Sequence, residues 1–386
     1  MKKPKLVRVT TVPISLDKLL EGQLKYMSGF YDITAISAAE EDYLVDVAQR
    51  EGVKSHAIEL TRAITPLADL KALWQMVKFL KKEKPQIVHT HTPKAGTVGM
   101  LAAKIAGVPI RLHTVAGLPL LETQGKKRAL LNAVEKITYA AATQVLPNSF
   151  GLKQIILEQG FAKENKLSVI GKGSSNGIDT SWFDPLEYDE AFKAQFRATL
   201  GISAEDFVFV FVGRIVKDKG ITELIQAFVH LNAPNKKLLL VGDYEHDLDP
   251  LPENILSEIT SHPDIIHAGW QTDIRPYLAI SDVLTFPSYR EGFPNVVLQA
   301  GAMGLPAIVS DINGCNEIIS HEENGLIVAV KDENALANAM QTLLTDAGLR
   351  QQMKEQARPR IVENYRREYI WDEIHQFYEK ELAKLK

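Results

Sequence analysis

Along the first 150 residues, short apolar runs alternate with longer stretches in which apolar residues recur every three to four positions. Residues 5–12, Lys-Leu-Val-Arg-Val-Thr-Thr-Val, read as a strand ended by Pro13, and Ser15 is placed to cap a helix to about residue 27. Strand-like runs follow at 32–37, 56–60, 86–91, 110–115 and 144–147, separated by helical patterns at 66–84, 93–106, 125–142 and 149–159. Such alternation predicts βαβ units and a parallel sheet covered on both faces.

The pattern breaks at residues 169–179 and stays charged and irregular to about Asp206, where a second alternation begins. Residues 207–212 are continuously apolar, as a strand buried on both faces must be; a helix is expected at 221–231 and strands at 237–241, 265–267, 283–286, 307–309 and 326–330. The last stretch sets Tyr365, Ile370, Ile374, Phe377, Tyr378 and Leu382 on one helical face. That face needs a partner, and a return across the domain junction supplies one. The reading is an α/β chain of two doubly wound domains, residues 1–180 (joined by the helix 365–386) and 181–364.

Length agrees, because 386 residues exceed one ordinary core. With 45% hydrophobic and 24% charged residues, the chain falls in neither the disordered nor the fibrous class. No signal-peptide core or membrane-length apolar window is present, which predicts a cytoplasmic protein. The single cysteine, Cys315, has no disulfide partner and no companion for a Cys-based zinc site. A net charge of −4 hides an asymmetry: residues 1–180 hold 25 Lys and Arg against 16 Asp and Glu, whereas the remainder holds 19 against 32. A basic half suits nucleic acid, anionic lipid or phosphate-bearing substrates, or is a set of dispersed solvated lysines.

Candidate chemistry gathers where strands give way to helices, since ligands of open parallel sheets sit beyond the carboxyl ends of the strands. Gly213-Arg214-Ile-Val-Lys217-Asp-Lys219-Gly220 places glycines and cations on one such loop, which suits a diphosphate. Glu291, between a strand end and a helix start, suits sugar hydroxyls, with the amides of Gly292, Phe293 and Asn295 as further donors. His113 ends a strand and fits either a cleft or a core. His89 and His91 share one side of a strand without a third metal ligand at suitable spacing, so packed histidines are favoured over zinc. The glycines at 171, 173 and 177 lack dinucleotide-fingerprint spacing and read as a plain loop. Asp247 and Asp249 form an Asp-x-Asp, a pattern that holds Mg²⁺ but is also common on surfaces.

Taken together, His89-Thr-His-Thr-Pro-Lys-Ala-Gly96, His113-Thr-Val-Ala-Gly117, Asn176-Gly-Ile-Asp179, Gly213-Arg214 with Lys219-Gly220, Pro287-Ser-Tyr-Arg-Glu-Gly-Phe-Pro294 and Gly304-Leu-Pro-Ala-Ile-Val-Ser-Asp311 resemble the GT4 family of retaining glycosyltransferases. The resemblance implies a GT-B fold: two Rossmann-like domains facing a central cleft, the first taking the acceptor, the second the nucleotide sugar, and the C-terminal helix crossing back. It assigns Arg214 and Lys219 to the donor diphosphate, Glu291 to the donor sugar and His113 to the sugar's reactive side. Gly213, Gly292, Phe293, Pro294, Asn295 and Gln299 fall on the donor side, Gly22 and His91 on the acceptor side. Gln299 departs from the pattern, because a glutamate that accepts from the ribose hydroxyls is usual there; glutamine still accepts through its carbonyl, without the charge. Neither a cofactor nor a metal is expected.

The form of the central stretch is similar to bacterial enzymes that extend lipid-linked sugars, with a UDP-sugar as donor. Residues 71–84 then fit either a bilayer contact at the inner membrane face or a packed helix with a lysine rim. A UDP-sugar 2-epimerase and a non-catalytic partner subunit share the architecture and stay open.

Overall fold

The computed structural model describes residues 3–61, 63, 65–118, 120, 123–245 and 249–385. Asp247 lies outside them, so the Asp-x-Asp motif is not described in full. The chain forms two compact units, Met1–Gly177 with Arg367–Lys386 and Ile178–Arg366. The sequence reading set the boundaries at 180/181 and 364/365.

The first unit is built on β1 (Lys5–Val9), β2 (Asp32–Ser37), β3 (Lys54–Ala57), β4 (Ile87–Thr90), β5 (Ile110–Val115) and β6 (Gln144–Pro147), all parallel, in the order β3-β2-β1-β4-β5-β6. The second repeats this order with β7 (Phe207–Val212), β8 (Lys236–Val241), β9 (Ile265–His267), β10 (Val283–Phe286), β11 (Ala307–Ser310) and β12 (Gly325–Val328): β12-β11-β10-β7-β8-β9. In each, the first and fourth strands are neighbours and the winding reverses between them. That reversal opens a crevice at the carboxyl edge.

The central strands are buried because helices cover both faces. Val208, Val210 and Val212 point one way from β7, Phe209 and Phe211 the other, and all five are buried. β3 is a shifted, exposed edge strand over 54–57 rather than 56–60. The helix expected at 15–27 is two helices, Pro13–Leu19 and Gln23–Ser28, interrupted at Gly22, whose φ of 75° is left-handed. Pro13 opens the first of them, since a first-turn residue has no N–H to lose.

The helix expected at 365–386 runs over Arg367–Ala383. Tyr365 ends the preceding helix in the second unit, and an extended Arg366 separates the two. Ile370, Trp371, Ile374 and Tyr378 pack with Leu6, Leu24, Tyr31 and Leu112, so this helix completes the core of the first unit. Ile370→Ala is expected to cost about 3 kcal/mol in urea unfolding. Leu385→Ala, at a half-exposed position, should stay within about 0.5 kcal/mol.

Candidate active site

In the second unit, the loops after β7 and β10 meet at the reversal point. Gly220, with φ 70°, lies so close to the β10 loop that a Cβ there would sit 2.1 Å from the Pro287 carbonyl oxygen. The Tyr289 N–H donates to the Asp218 carbonyl at 2.9 Å, Arg290 pairs with Asp218 at 2.9 Å, and the Tyr289 hydroxyl donates to Glu223 at 2.7 Å. These contacts bring Lys219 to Glu291: the ammonium donates to the carboxylate, with both side chains less than a fifth exposed. Ser288 Oγ donates to the same carboxylate oxygen at 3.1 Å. Carboxylate and ammonium therefore present one charge-neutral, directional polar group at the crevice.

The loop after β11 supports Glu291 from behind. Asn313 Nδ2 donates to the Glu291 carbonyl and, at 3.3 Å, to that of Gly292. Gly314, with φ 80°, leaves no room for a Cβ, which would fall 2.5 Å from the Gly292 oxygen. Sequence reading missed Asn313, Gly314 and Ser288. The Asn-Gly pair just past a strand was the available signal. Cys315 follows, fully buried; burial and then the nearby Glu291 carboxylate push its thiol well above the ordinary range, so it is a packed residue without thiolate character.

Arg214 lies at the other end of the β7 loop and pairs with Glu245 at 2.7 Å. With Gly213 it borders a 560 Å³ cavity that Tyr244, Trp270 and Gln271 also line. Phe293 and Pro294 are buried, Asn295 is exposed at the first turn of the helix Asn295–Ala302, and Gln299 is half-buried one turn on. Gly292 lies in the supported loop.

In the first unit, His91 and His113 line one 230 Å³ cavity with Leu19, Thr92, Pro93 and Glu135, at the carboxyl ends of β4 and β5. Gly22 is elsewhere. Its N–H donates to Glu51 at 3.0 Å, and Trp371 occupies the space beside its α-carbon. Thr92 adopts φ 71° with ψ 145°, a strained conformation for a side chain. Across the reversal point its Oγ1 accepts from the Thr11 N–H at 3.1 Å and shares a hydrogen bond with Thr11 Oγ1 at 2.7 Å.

Behind this cavity lies a network that sequence reading missed. Arg8 is fully buried in β1, and no carboxylate pairs with it among the described residues. Its Nη1 donates to the Tyr378 hydroxyl at 2.8 Å, and its Nη2 donates to Gln23 at 2.6 Å and to His91 Nε2 at 2.7 Å. A guanidinium only donates, so it sets the direction of each link. His91 must accept at Nε2, which leaves its proton on Nδ1. Tyr378 accepts from Arg8 and passes its own proton toward His89 Nδ1 at 2.5 Å, and His89 Nε2 donates to Thr114 at 2.7 Å. The stacked rings of His89 and His91, with centroids 4.5 Å apart, are thus held by hydrogen bonds rather than arranged around an ion. Burial first, and then the Arg8 charge, hold both rings well below the ordinary histidine range. Burial likewise lowers His113 to about 4.

Two parallel sheets of the same doubly wound order, with Lys219 held against a supported Glu291 carboxylate at the β7/β10 reversal, define the class of fold and its candidate site. Residues 192–360 match the family model described as glycosyl transferases group 1, and residues 26–173 match a glycosyl transferase 4-like domain. The chain belongs to the GT4-type glycosyltransferases of GT-B fold, and is an enzyme of that kind.

It is 34% identical over 382 residues to the capsular polysaccharide biosynthesis glycosyltransferase CapM of Staphylococcus aureus, covering 98% of this chain and 97% of that one. It is 32% identical, over 90% of this chain and 89% of the relative, to the UDP-Gal:alpha-D-GlcNAc-diphosphoundecaprenol alpha-1,3-galactosyltransferase of Escherichia coli. A glycosyltransferase from Rickettsia africae superposes with a TM-score of 0.82 at 20% identity, covering 99% of both chains. Anabaena HepE in complex with UDP superposes with a TM-score of 0.81 at 18% identity, over 97% of this chain and 100% of that one.

The lowered histidines give a stability prediction. A ring neutral when folded, with a pKa of about 4 for His113, takes up a proton on unfolding below about 6.5. Unfolding is then favoured progressively as pH falls from 6.5 toward 4. His113 alone should remove on the order of 2 kcal/mol between pH 7.5 and pH 5. Urea unfolding at the two pH values should show at least this loss, and His113→Gln should reduce it by the His113 share, leaving the part due to His89 and His91.

Proposed function

We propose that this glycosyltransferase moves a hexosyl or N-acetylhexosaminyl group from a UDP-sugar, with retention, to a hydroxyl of a lipid-linked saccharide in bacterial glycan biosynthesis. The observation that carries the donor half is the Lys219–Glu291 pair at the β7/β10 reversal, with Arg214 on the same loop. Lys219 and Arg214 suit the two phosphates. The Arg214–Glu245 pair is half-exposed, so a diphosphate exchanges for Glu245 at small cost. Glu291 and the amides after it suit the sugar hydroxyls, Gln299 the ribose, and the cavity lined by Tyr244 and Trp270 the nucleoside.

The acceptor half rests on the His91–His113 cavity and on the relatives. One relative is named for a diphosphoundecaprenol-linked acceptor, as is an N-acetylgalactosaminyltransferase of Campylobacter jejuni that is 30% identical over 84% of this chain. No helix among the described residues is long and apolar enough to cross a membrane. A lipid-linked acceptor therefore implies peripheral contact with the inner membrane face.

In the reaction, an acceptor oxygen attacks the anomeric carbon from the face the nucleotide leaves. The bond from that carbon to the β-phosphate oxygen breaks with its electron pair, and the acceptor proton passes to that oxygen. Arg214 and Lys219 stabilise the departing charge, so electrostatic stabilisation dominates and no enzymatic nucleophile or metal is required. Neutral His113 gives the cavity of the first unit a hydrogen-bonding ring rather than a charge.

A panel of radiolabelled nucleotide sugars with membrane lipid extract, following released nucleotide and lipid-bound label together, tests the assignment. Label should move to lipid from a UDP-sugar. Epimerised donor without lipid label would instead mark a 2-epimerase. Replacing both Arg214 and Lys219 by Ala should lower turnover by about 100-fold or more while the far-UV circular dichroism is kept; undiminished transfer overturns their role. Gln299→Glu should alter UDP affinity by calorimetry, and an unchanged value removes Gln299 from the ribose.

A further inference from the structure

An apolar groove in the first unit has no part in the chemistry above. It encloses 400 Å³ between the helices Pro66–Glu83, Pro93–Ile105 and Gly125–Ala141. Its walls include Leu70, Leu73, Leu101, Leu130, Leu131 and Val134. Leu70 and Leu130 are each 51% exposed, an arrangement that costs solvation unless something apolar lies along it. The volume is that of a small-molecule site rather than of a packing defect.

Two observations say what lies there. Pro93 and Glu135 line both this groove and the cavity that holds His91 and His113, so the groove adjoins the acceptor pocket. At the same place Lys94 forms an ion pair with Asp69, and it is a cation only 12% exposed. Burial also raises the Glu135 carboxyl above its ordinary range, with the Tyr139 hydroxyl acting the other way. A molecule that fills both spaces is sugar-bearing at one end, anionic at the junction and hydrocarbon beyond it.

We propose that the groove holds the first isoprene units of a polyisoprenyl diphosphate-linked acceptor, with Lys94 beside the diphosphate. This rests on the lipid-linked acceptor reading and adds the site that recognises the lipid. The enzyme then selects its acceptor by its hydrocarbon as well as by its sugar. Each methylene transferred from water to the groove contributes about fourfold in affinity, so two or three buried methylenes already separate a lipid diphosphate from a bare one.

Calorimetry on the full chain with farnesyl diphosphate and with inorganic pyrophosphate tests this without any sugar or turnover. Farnesyl diphosphate should bind about tenfold or more tighter than pyrophosphate. Leu131→Trp, which fills the groove, and Leu70→Glu, which charges it at an exposed position where folding is not at stake, should each remove that advantage while UDP binding is kept. Equal binding of the two probes overturns the proposal, as does farnesyl diphosphate binding untouched by both variants. Groove-dependent binding to phosphatidylglycerol vesicles or self-association, with no binding of farnesyl diphosphate, also overturns it in favour of a bilayer or a second copy. The acceptor reading falls separately, if lipid extract takes no label. If extract is labelled but a methyl diphosphate-linked acceptor shows the same KM as a farnesyl one, only the groove assignment falls.

Discussion

The candidate site of each unit depends on the reversal of winding between two adjacent parallel strands. Where β7 lies beside β10, the helices that follow go to opposite faces, and the two outgoing loops must share the ground between them. Their backbones meet: Gly220 is within a missing Cβ of the Pro287 carbonyl, and the Tyr289 N–H donates to Asp218. Once that contact is made, Lys219 and Glu291, 72 positions apart, become hydrogen-bonded partners. The same reversal between β1 and β4 brings Thr11 against Thr92 and fixes the strained backbone from which the helix at Pro93 starts.

The two reversal points carry opposite electrostatic solutions. In the second unit the cations are set against carboxylates, Lys219 with Glu291 and Arg214 with Glu245. Such partners hold long side chains in one rotamer, and the half-exposed Arg214–Glu245 pair costs little to open while the more buried Lys219–Glu291 pair stays fixed. In the first unit the rings of His89, His91 and His113 are kept neutral by burial. They offer direction through their tautomers and add no charge of their own.

Much of this was legible in the chain. Central strands announced themselves because burial on both faces demands unbroken apolar runs, as in 207–212. The Lys219 and Glu291 loops were legible because a strand end followed by glycine or proline and a helix start restricts what can stand there. What was not legible had no local signature. β3 is exposed at all four residues, and the helix Glu190–Thr199 has no buried residue to set a period. Arg8 reads, in Leu-Val-Arg-Val, like one polar residue in an alternating strand. Its significance comes from Tyr378, 370 positions away, and a pattern confined to neighbours carries no information about a helix that returns from the far end of the chain.

That return has an electrostatic consequence. A buried guanidinium without a carboxylate partner is costly, and here its two terminal nitrogens meet neutral acceptors, a phenol, an amide and an imidazole, while Nε has no partner among the described residues. A carboxylate in place of any of them would relieve the desolvation cost and cancel the charge. Neutral partners leave the positive field intact, and in a low-dielectric interior it is weakly screened. His91 stands between that charge and the cavity it lines with His113, its Nδ1 proton on the side away from Arg8. The core of the first unit therefore keeps an unneutralised charge at some cost in stability, and the C-terminal helix, by supplying Tyr378, keeps that charge hydrogen-bonded and buried rather than solvated.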